Sequence, residues 1–432
     1  MGHMANLDRR YELLGRRLDR HLTGAPDSPL LLQILGLLFS PEEADLARRL
    51  PSRPTPAGRL ARQLGMAQDE LVARLGELAS RGLVVDLEHE GIRYFCLPPV
   101  VVGFYEFTFM RTRDDIPQTE LARLFDQYLS QEDFAREVFQ GPTEIARALV
   151  REEALPAEGH TEILDWERAT GLIRSASALG VSLCACRHKA AHLAKACRHL
   201  QECCLSLNWA ADMLIRTGHA KPVSVDEALG ILDQCKRAGL AQTADNVQRG
   251  VTYICNCCRC CCGLVQAIRQ FGLRGAIVSS AWTARFDRSR CQGCGRCAEV
   301  CPVAAIHLNG SDGQQQRHAI CDEQLCLGCG VCAAVCRGGA IRMERRPRRI
   351  YYPETIFDRT VQMAIERGKL SDLIFDEPQR LSHRALGRIF RLVEKSSWYR
   401  RAMAVGPLRS AFLELLARGA KTAAGRLREV FQ

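Results

Sequence analysis

The run Cys291-Gln292-Gly293-Cys294-Gly295-Arg296-Cys297-Ala298-Glu299-Val300-Cys301-Pro302 decides how this chain is read. Its pattern, C-x2-C-x2-C-x3-C, returns 35 residues later as Cys326-Leu327-Gly328-Cys329-Gly330-Val331-Cys332-Ala333-Ala334-Val335-Cys336. Of the sixteen positions from Cys291 to Ile306, ten are identical in Cys326 to Ile341, so the two are copies of one unit. Thiols three residues apart face a common centre only if the backbone turns tightly between them. Gly293, Gly295, Gly328 and Gly330 stand where such a turn needs positive φ and close backbone approach. Zinc sites usually draw on two separated cysteine pairs rather than unbroken triplets of this kind.

The repeated run resembles the iron–sulfur segment of two-cluster bacterial ferredoxins, over about fifty residues. That resemblance implies two [4Fe–4S] clusters, each taking three cysteines from one run and the fourth from the other. Cluster I would be held by Cys291, Cys294, Cys297 and Cys336, and cluster II by Cys326, Cys329, Cys332 and Cys301. Arg337 stands where the family places proline, which is expected to alter the solvation or potential of cluster I.

A chain of 432 residues is long enough for two to four domains. It has 22 cysteines, 21 of them from Cys184 to Cys336. A disulfide scaffold does not fit a chain this long with an ordinary apolar content and no secretory leader. Gly2-His3 reads as a cloning scar, with Met4 as the expected natural start. The most apolar run, Leu30 to Phe39, is broken by Gln33 and too short to cross a bilayer. A cytoplasmic, reducing and anaerobic setting is therefore expected. The formal charge is +10. A [4Fe–4S]2+ unit with four thiolates carries about −2, so two clusters bring the total to about +6 and a third to about +4. Much of the basic excess thus balances cluster charge, and nucleic acid is not an expected partner.

The expected architecture is α+β and mostly helical. Residues 1–27 hold the scar and a short helix, 28–98 a winged-helix-like domain, and 99–158 a helical connector. Residues 159–283 form a cysteine-rich cluster domain, 284–345 a two-cluster ferredoxin-like domain, and 346–432 a helical tail. In the second segment Ser40 caps a helix, Ala57–Leu64 ends at Gly65, and Gln68–Arg81 carries Leu71, Leu75 and Leu78 on one face. Strands are expected at Leu83–Leu87 and Ile92–Leu97. From Gln68 to Glu90 six acids face only Arg74 and Arg81, the reverse of what phosphate contact needs. The domain is read as a docking or oligomerisation module, with a homodimer as one form. In the tail, Arg384, Arg388, Arg391 and Lys395 lie opposite Leu386, Ile389, Phe390 and Val393, a stripe expected to pack on the iron–sulfur core.

Twelve further cysteines fall between Cys184 and Cys262. They come as Cys184-Ala185-Cys186-Arg187, Cys197, Cys203-Cys204-Leu205, Cys235, and Cys255-Asn256-Cys257-Cys258-Arg259-Cys260-Cys261-Cys262. A capping box, Ser224 to Glu227, opens a helix between the two groups, and Gly239 ends it. This order of motifs resembles large cytoplasmic iron–sulfur proteins of anaerobic bacteria and archaea, although Cys203 is extra and the resemblance supplies no substrate. Soft thiolates in this number favour iron–sulfur chemistry over zinc. The candidate ligands of an additional cluster are Cys184, Cys186, Cys197, Cys204, Cys255, Cys257, Cys258, Cys260, Cys261 and Cys262. Neighbouring cysteines point in different directions, so only some of 255–262 can serve one cubane. Packed thiols or a redox-active thiol pair are the alternative; Cys235 and Cys96 are read as structural.

Arg187, His188 and Lys189 crowd the first group, as cluster-charge contacts or as a pocket for an anion. No phosphate loop, nucleotide fingerprint, nucleophile motif or radical-SAM spacing is present. The expected function is an iron–sulfur electron-transfer protein or reductase subunit, served by a flavoprotein or ferredoxin-dependent redox partner. Two alternatives stand beside it. One is a self-contained iron–sulfur oxidoreductase acting on an anionic small molecule, and the other a redox-responsive winged-helix regulator.

Overall fold

The computed structural model describes residues 9–139, 141–156, 163–310, 317–348, 350–377 and 379–396. The described residues divide into two compact units, one within 9–143, 216–219 and 355–396, the other within 144–215 and 220–354. Helix and sheet are both present, and helix predominates.

In the first unit, helix Arg9–Leu18 precedes Pro29–Leu38, capped by Ser28, and Pro41–Ala47, opened by a Ser40/Glu43 capping box. Helix Ala57–Leu64 ends at Gly65 in the left-handed region, and Gln68–Ser80 buries Leu71, Leu75 and Leu78. Three strands, β1 (Thr55–Pro56), β2 (Val85–His89) and β3 (Ile92–Cys96), form an antiparallel sheet of order β1-β3-β2. Asp86, counted among the surface acids, is instead buried between Arg93 and Arg216. That removes one charge from the acidic face.

The tail overturns an expectation. Helices Ile356–Glu366, Leu370–Ile374 and Leu381–Lys395 belong to this first unit, not to the cysteine-bearing one. Buried charge explains the placement. Asp376 pairs with Arg17 and accepts from the backbone of Ser52 (2.6 Å) and Arg53 (3.1 Å), and Glu377 pairs with Arg59. Leu386 and Ile389 remain exposed on the last helix. The side chains of Arg384 and Lys395, and everything beyond Ser396, lie outside the described residues.

The second unit is built on a seven-stranded sheet that the cysteine spacing did not announce. Its strands are β4 (Ala146–Ala148), β5 (Leu179–Leu183), β6 (Glu202–Leu207), β7 (Lys221–Pro222), β8 (Ala241–Asp245), β9 (Tyr253–Cys257) and β10 (Ile277–Val278). Their order is β10-β4-β8-β9-β6-β5-β7, antiparallel except for β10 beside β4. β4 falls inside the segment read as a connector. Helix Val225–Arg237 follows β7, with the expected Ser224/Glu227 capping box and Gly239 at φ +80° after its end.

Four short strands complete the unit: β11 (Trp282–Phe286), β12 (Ile306–Asn309), β13 (His318–Cys321) and β14 (Ile341–Arg345). β11 pairs with β14 and β12 with β13, all antiparallel. The basic stretch after Cys336 includes β14. Its Arg346 donates to the carbonyls of Trp282 (3.0 Å), Glu323 (3.1 Å) and Cys326 (2.6 Å).

Candidate metal centres

The two copies of the repeat fold alike. Gly295 (φ +80°) and Gly330 (φ +78°) start the short helices Arg296–Val300 and Val331–Ala334. Gly293 and Gly328 also have positive φ, and a Cβ on either would strike a backbone carbonyl, that of Arg317 or of Trp282. Only glycine fits these two turns. β12 and β14 then begin at Ile306 and Ile341, the last identical pair of the repeat. Each copy's outgoing strand pairs with the strand that leads into the other copy, so the fourth cysteine of each is turned toward its opposite number.

Two cavities result. One is lined by Cys301, Cys326, Cys329 and Cys332, together with Cys321. A second, larger hollow is lined by Cys291, Cys294, Cys297 and Cys336, with Arg337 at its wall. Backbone N–H groups point at the sulfurs: Ala305 at Cys301 (3.2 Å), Gly328 at Cys326 (3.4 Å), Ala319 at Cys291 (3.4 Å) and Ala340 at Cys336 (3.3 Å). Such donors favour thiolate. The first cavity's four repeat cysteines are all buried, whereas Cys294 at the second is exposed. Burial pushes Cys329 up to about 12 and Cys297 up to about 11. Thiolates there need a positive centre among them, which cluster iron supplies. The donor set and the cavities fit [4Fe–4S] groups.

Cys321 went unnoticed in the sequence because its counterpart in the first copy, 35 residues earlier, is Phe286. Its thiol hydrogen-bonds Cys326 and, with the backbone N–H groups of Ala284 and Gly328, lowers that residue's pKa to about 5 against the effect of burial.

The other twelve cysteines do not form one shell. On β6 and β9 side chains alternate between faces. Leu205 pairs with Ile254 and Ser206 with Tyr253, so continuing the register sets Cys204 opposite Cys255 and Cys203 opposite Asn256. Cys204 hydrogen-bonds Cys255, while Cys262 hydrogen-bonds both Cys186 and Cys257. Thr243 of β8 lies 3.3 Å from the Cys257 sulfur. Five thiols, Cys186, Cys204, Cys255, Cys257 and Cys262, thus share one side.

Cys203 lies on the other side, packed with Cys235, Cys258 and Leu240, and with Cys184, Cys197 and Cys261 at the edge. Arg187 is fully buried there. Its guanidinium donates to the Asn256 carbonyl (3.0 Å) and to the Cys203 sulfur. Hydrogen bonds from Cys184 and Cys235, with the Arg187 charge, hold Cys203 far below the usual thiol range despite burial. Burial alone would lower Arg187, but the Cys184, Cys203 and Cys258 thiols outweigh it and raise its pKa. Cys235, read as structural, is buried in this group. His188 and Lys189 are half-buried and do not share Arg187's position.

The thiol core reaches the repeat through two arginines. Arg151 takes the Cys329 carbonyl with its backbone N–H (3.1 Å) and the Leu240 carbonyl with its guanidinium (2.9 Å). Arg259, between Cys258 and Cys260, donates to the Glu299 carbonyl (2.6 Å), two residues before Cys301.

A family model described as a 4Fe–4S dicluster domain matches residues 290–340. No curated protein and no solved structure matches the chain. The chain therefore carries an iron–sulfur, metal-binding domain over the repeated run. Among the described residues no helix is long and apolar enough to cross a membrane.

Proposed function

We propose that this chain is an iron–sulfur electron-transfer protein or reductase subunit. Cys291, Cys294, Cys297 and Cys336 hold one [4Fe–4S] cluster, and Cys301, Cys326, Cys329 and Cys332 the other. Five thiols on one side of the sheet, Cys186, Cys204, Cys255, Cys257 and Cys262, hold a further iron–sulfur centre. When bound, these groups supply one-electron redox chemistry at low potential. The observation that carries the reading is the pair of cavities, each lined by three cysteines of one copy and the fourth of the other.

The polypeptide's part is to solvate and insulate. Amide N–H groups at Cys291, Cys301, Cys326 and Cys336 stabilise negative sulfur, and the exposed side of Cys294 offers the entry point for a redox partner. Arg151 and Arg259 tie the repeat to the thiol-rich sheet, and Arg187 offsets thiolate charge inside it. The helices and β1-β3-β2 sheet of the first unit support a winged-helix-like docking module, whose acidic surface argues against DNA.

Iron and labile-sulfide quantification on anaerobically purified protein tests this, with EPR of the reduced sample. About twelve irons, and a signal beyond the coupled pair of two cubanes, are expected. About eight irons, with only the coupled pair, would reduce the reading to a simple two-cluster carrier. A Cys255→Ser, Cys257→Ser double variant should lose the additional signal alone.

A further inference from the structure

Cys197, Cys258, Cys260 and Cys261 bring four sulfurs within 4.8 Å of one another. The Cys261 sulfur is 3.8 Å from that of Cys197 and 3.6 Å from that of Cys260. Among the described residues this is the only group of three or more His, Cys, Asp or Glu ligand atoms so close together. A single tetrahedral ion with metal–sulfur bonds of about 2.3 Å needs sulfurs about 3.8 Å apart. A four-iron cube puts iron corners between its thiolates and spreads them to roughly 6 Å. The eight cysteines of the repeat supply an internal comparison, since they line cavities and form no such tight group.

The turn that carries three of the four is built for this. Cys258 and Cys261 are spaced C-x2-C, and the Cys261 N–H donates to the Cys258 sulfur at 3.3 Å. The carbonyls of Arg259 and Cys260 are turned away and accept from Gln266 of helix Gly263–Phe271, at 2.7 and 3.0 Å. Arg269 of the same helix adds a bond to the Arg259 carbonyl at 3.2 Å. The sulfurs of Cys258, Cys260 and Cys261 gather at Cys197, from the loop before β6, with Cys258 buried and Cys260 at the surface.

We propose that Cys197, Cys258, Cys260 and Cys261 form a mononuclear tetrathiolate site for one soft divalent cation, zinc or iron, separate from any cluster on the opposite side of the sheet. Four thiolates and no other donor suit either ion. Zinc would make the site a structural clasp between the loop at Cys197 and the turn after β9. Iron would make it a one-electron centre without sulfide. The proposal does not depend on the further cluster assigned to Cys186, Cys204, Cys255, Cys257 and Cys262.

Cubane clusters contain iron and sulfide in equal numbers, so an isolated tetrathiolate ion shows as metal without sulfide. Full-length protein purified anaerobically should contain one zinc or iron per chain in excess of its sulfide. A Cys260→Ser, Cys261→Ser double variant should lose that one ion and keep all its sulfide. Zinc or iron as the excess metal distinguishes the two sources, and an iron site should also give a high-spin ferric EPR signal on mild oxidation. X-ray absorption at the zinc edge of the wild-type protein, where zinc is the excess metal, should show four sulfurs at about 2.3 Å and no metal neighbour. No excess metal in the wild-type protein would overturn the proposal. So would a variant that loses iron and sulfide together, because the four cysteines would then belong to a polynuclear cluster. If the variant does not fold, the wild-type excess and absorption data still decide. A missing excess with about twelve irons would leave the further cluster standing, and an excess with about eight would leave this site standing without it.

Discussion

Replacing Arg187 by methionine tests whether the thiol core is held by a buried charge. The guanidinium has no solvent exposure, donates to the Asn256 carbonyl and the Cys203 sulfur, and sits among Cys184, Cys203 and Cys258. Methionine fills much of the volume but leaves a carbonyl without a donor and a thiolate without a counter-charge. Removing one member of a buried ion pair costs about 3–5 kcal/mol. A unit of 150–250 residues loses about 2–4 °C of melting temperature per kcal/mol, so a fall of roughly 6–20 °C is expected. Anaerobic thermal unfolding, followed by loss of iron–sulfur absorbance, reads it directly. Arg187→Lys should recover part of the loss, because it restores charge but not the two-direction donor fork. If Arg187→Met melted with the wild type, Cys203 would have to be a neutral thiol and the charge argument would fail.

Three further outcomes follow from the same geometry. Gly328→Ala puts a Cβ against the Trp282 carbonyl at positive φ, so the variant should lose about four irons and four sulfides by elemental analysis while keeping the other cubane. Cys321→Ala removes a hydrogen bond to the Cys326 sulfur. A bond of about 1 kcal/mol corresponds to some tens of mV for one electron, so redox titration should show one cluster shifted that far negative with full iron content. Acid should destabilise the first unit through two buried histidines. Burial, with Arg17 and Lys369, lowers His21 to about 3, and burial, with Arg111 and Arg113, lowers His219 to about 3. The unfolded chain therefore binds more protons below pH 6.5, and stability present above that pH is lost as pH falls toward 3. At pH 5 the loss is about 2 kcal/mol for each histidine, and His219→Gln should remove roughly half of it in urea titrations at pH 7 and 5.

The repeat was legible because its constraints are local. Cysteine spacing, the glycines at positive φ and the strand that starts at each final isoleucine all lie within sixteen residues. The helices of the first unit were legible for the same reason, through Ser40, Gly65 and an apolar stripe. The seven-stranded sheet was not. Its inner strand β8 reads Ala-Gln-Thr-Ala-Asp, buried throughout yet more than half polar, because Gln242, Thr243 and Asp245 find partners on β9 and the loop before it. No alternation marks such a strand. The tail's position was hidden as well, since Asp376 meets Arg17 across more than three hundred residues.

Twelve cysteines close in sequence invite assignment to one centre, and strand geometry is what forbids it. Cys203 and Cys204 are adjacent on β6, so one must face each side of the sheet. On β9, Cys255 and Cys257 share a face because one residue separates them, and Asn256 between them faces Arg187 and Cys203 with its backbone and side-chain groups. The turn after β9 then breaks the alternation. Cys262 returns to Cys257 and Cys186, whereas Cys258, Cys260 and Cys261 gather at Cys197. A sequence motif with six cysteines in eight residues is therefore two donor sets laid end to end, and Cys184, hydrogen-bonded to both Cys186 and Cys203, lies between them. Charge follows the same division. Arg187 lies on the side of Cys203, while the side of Cys204 and Cys255 carries the neutral Thr243.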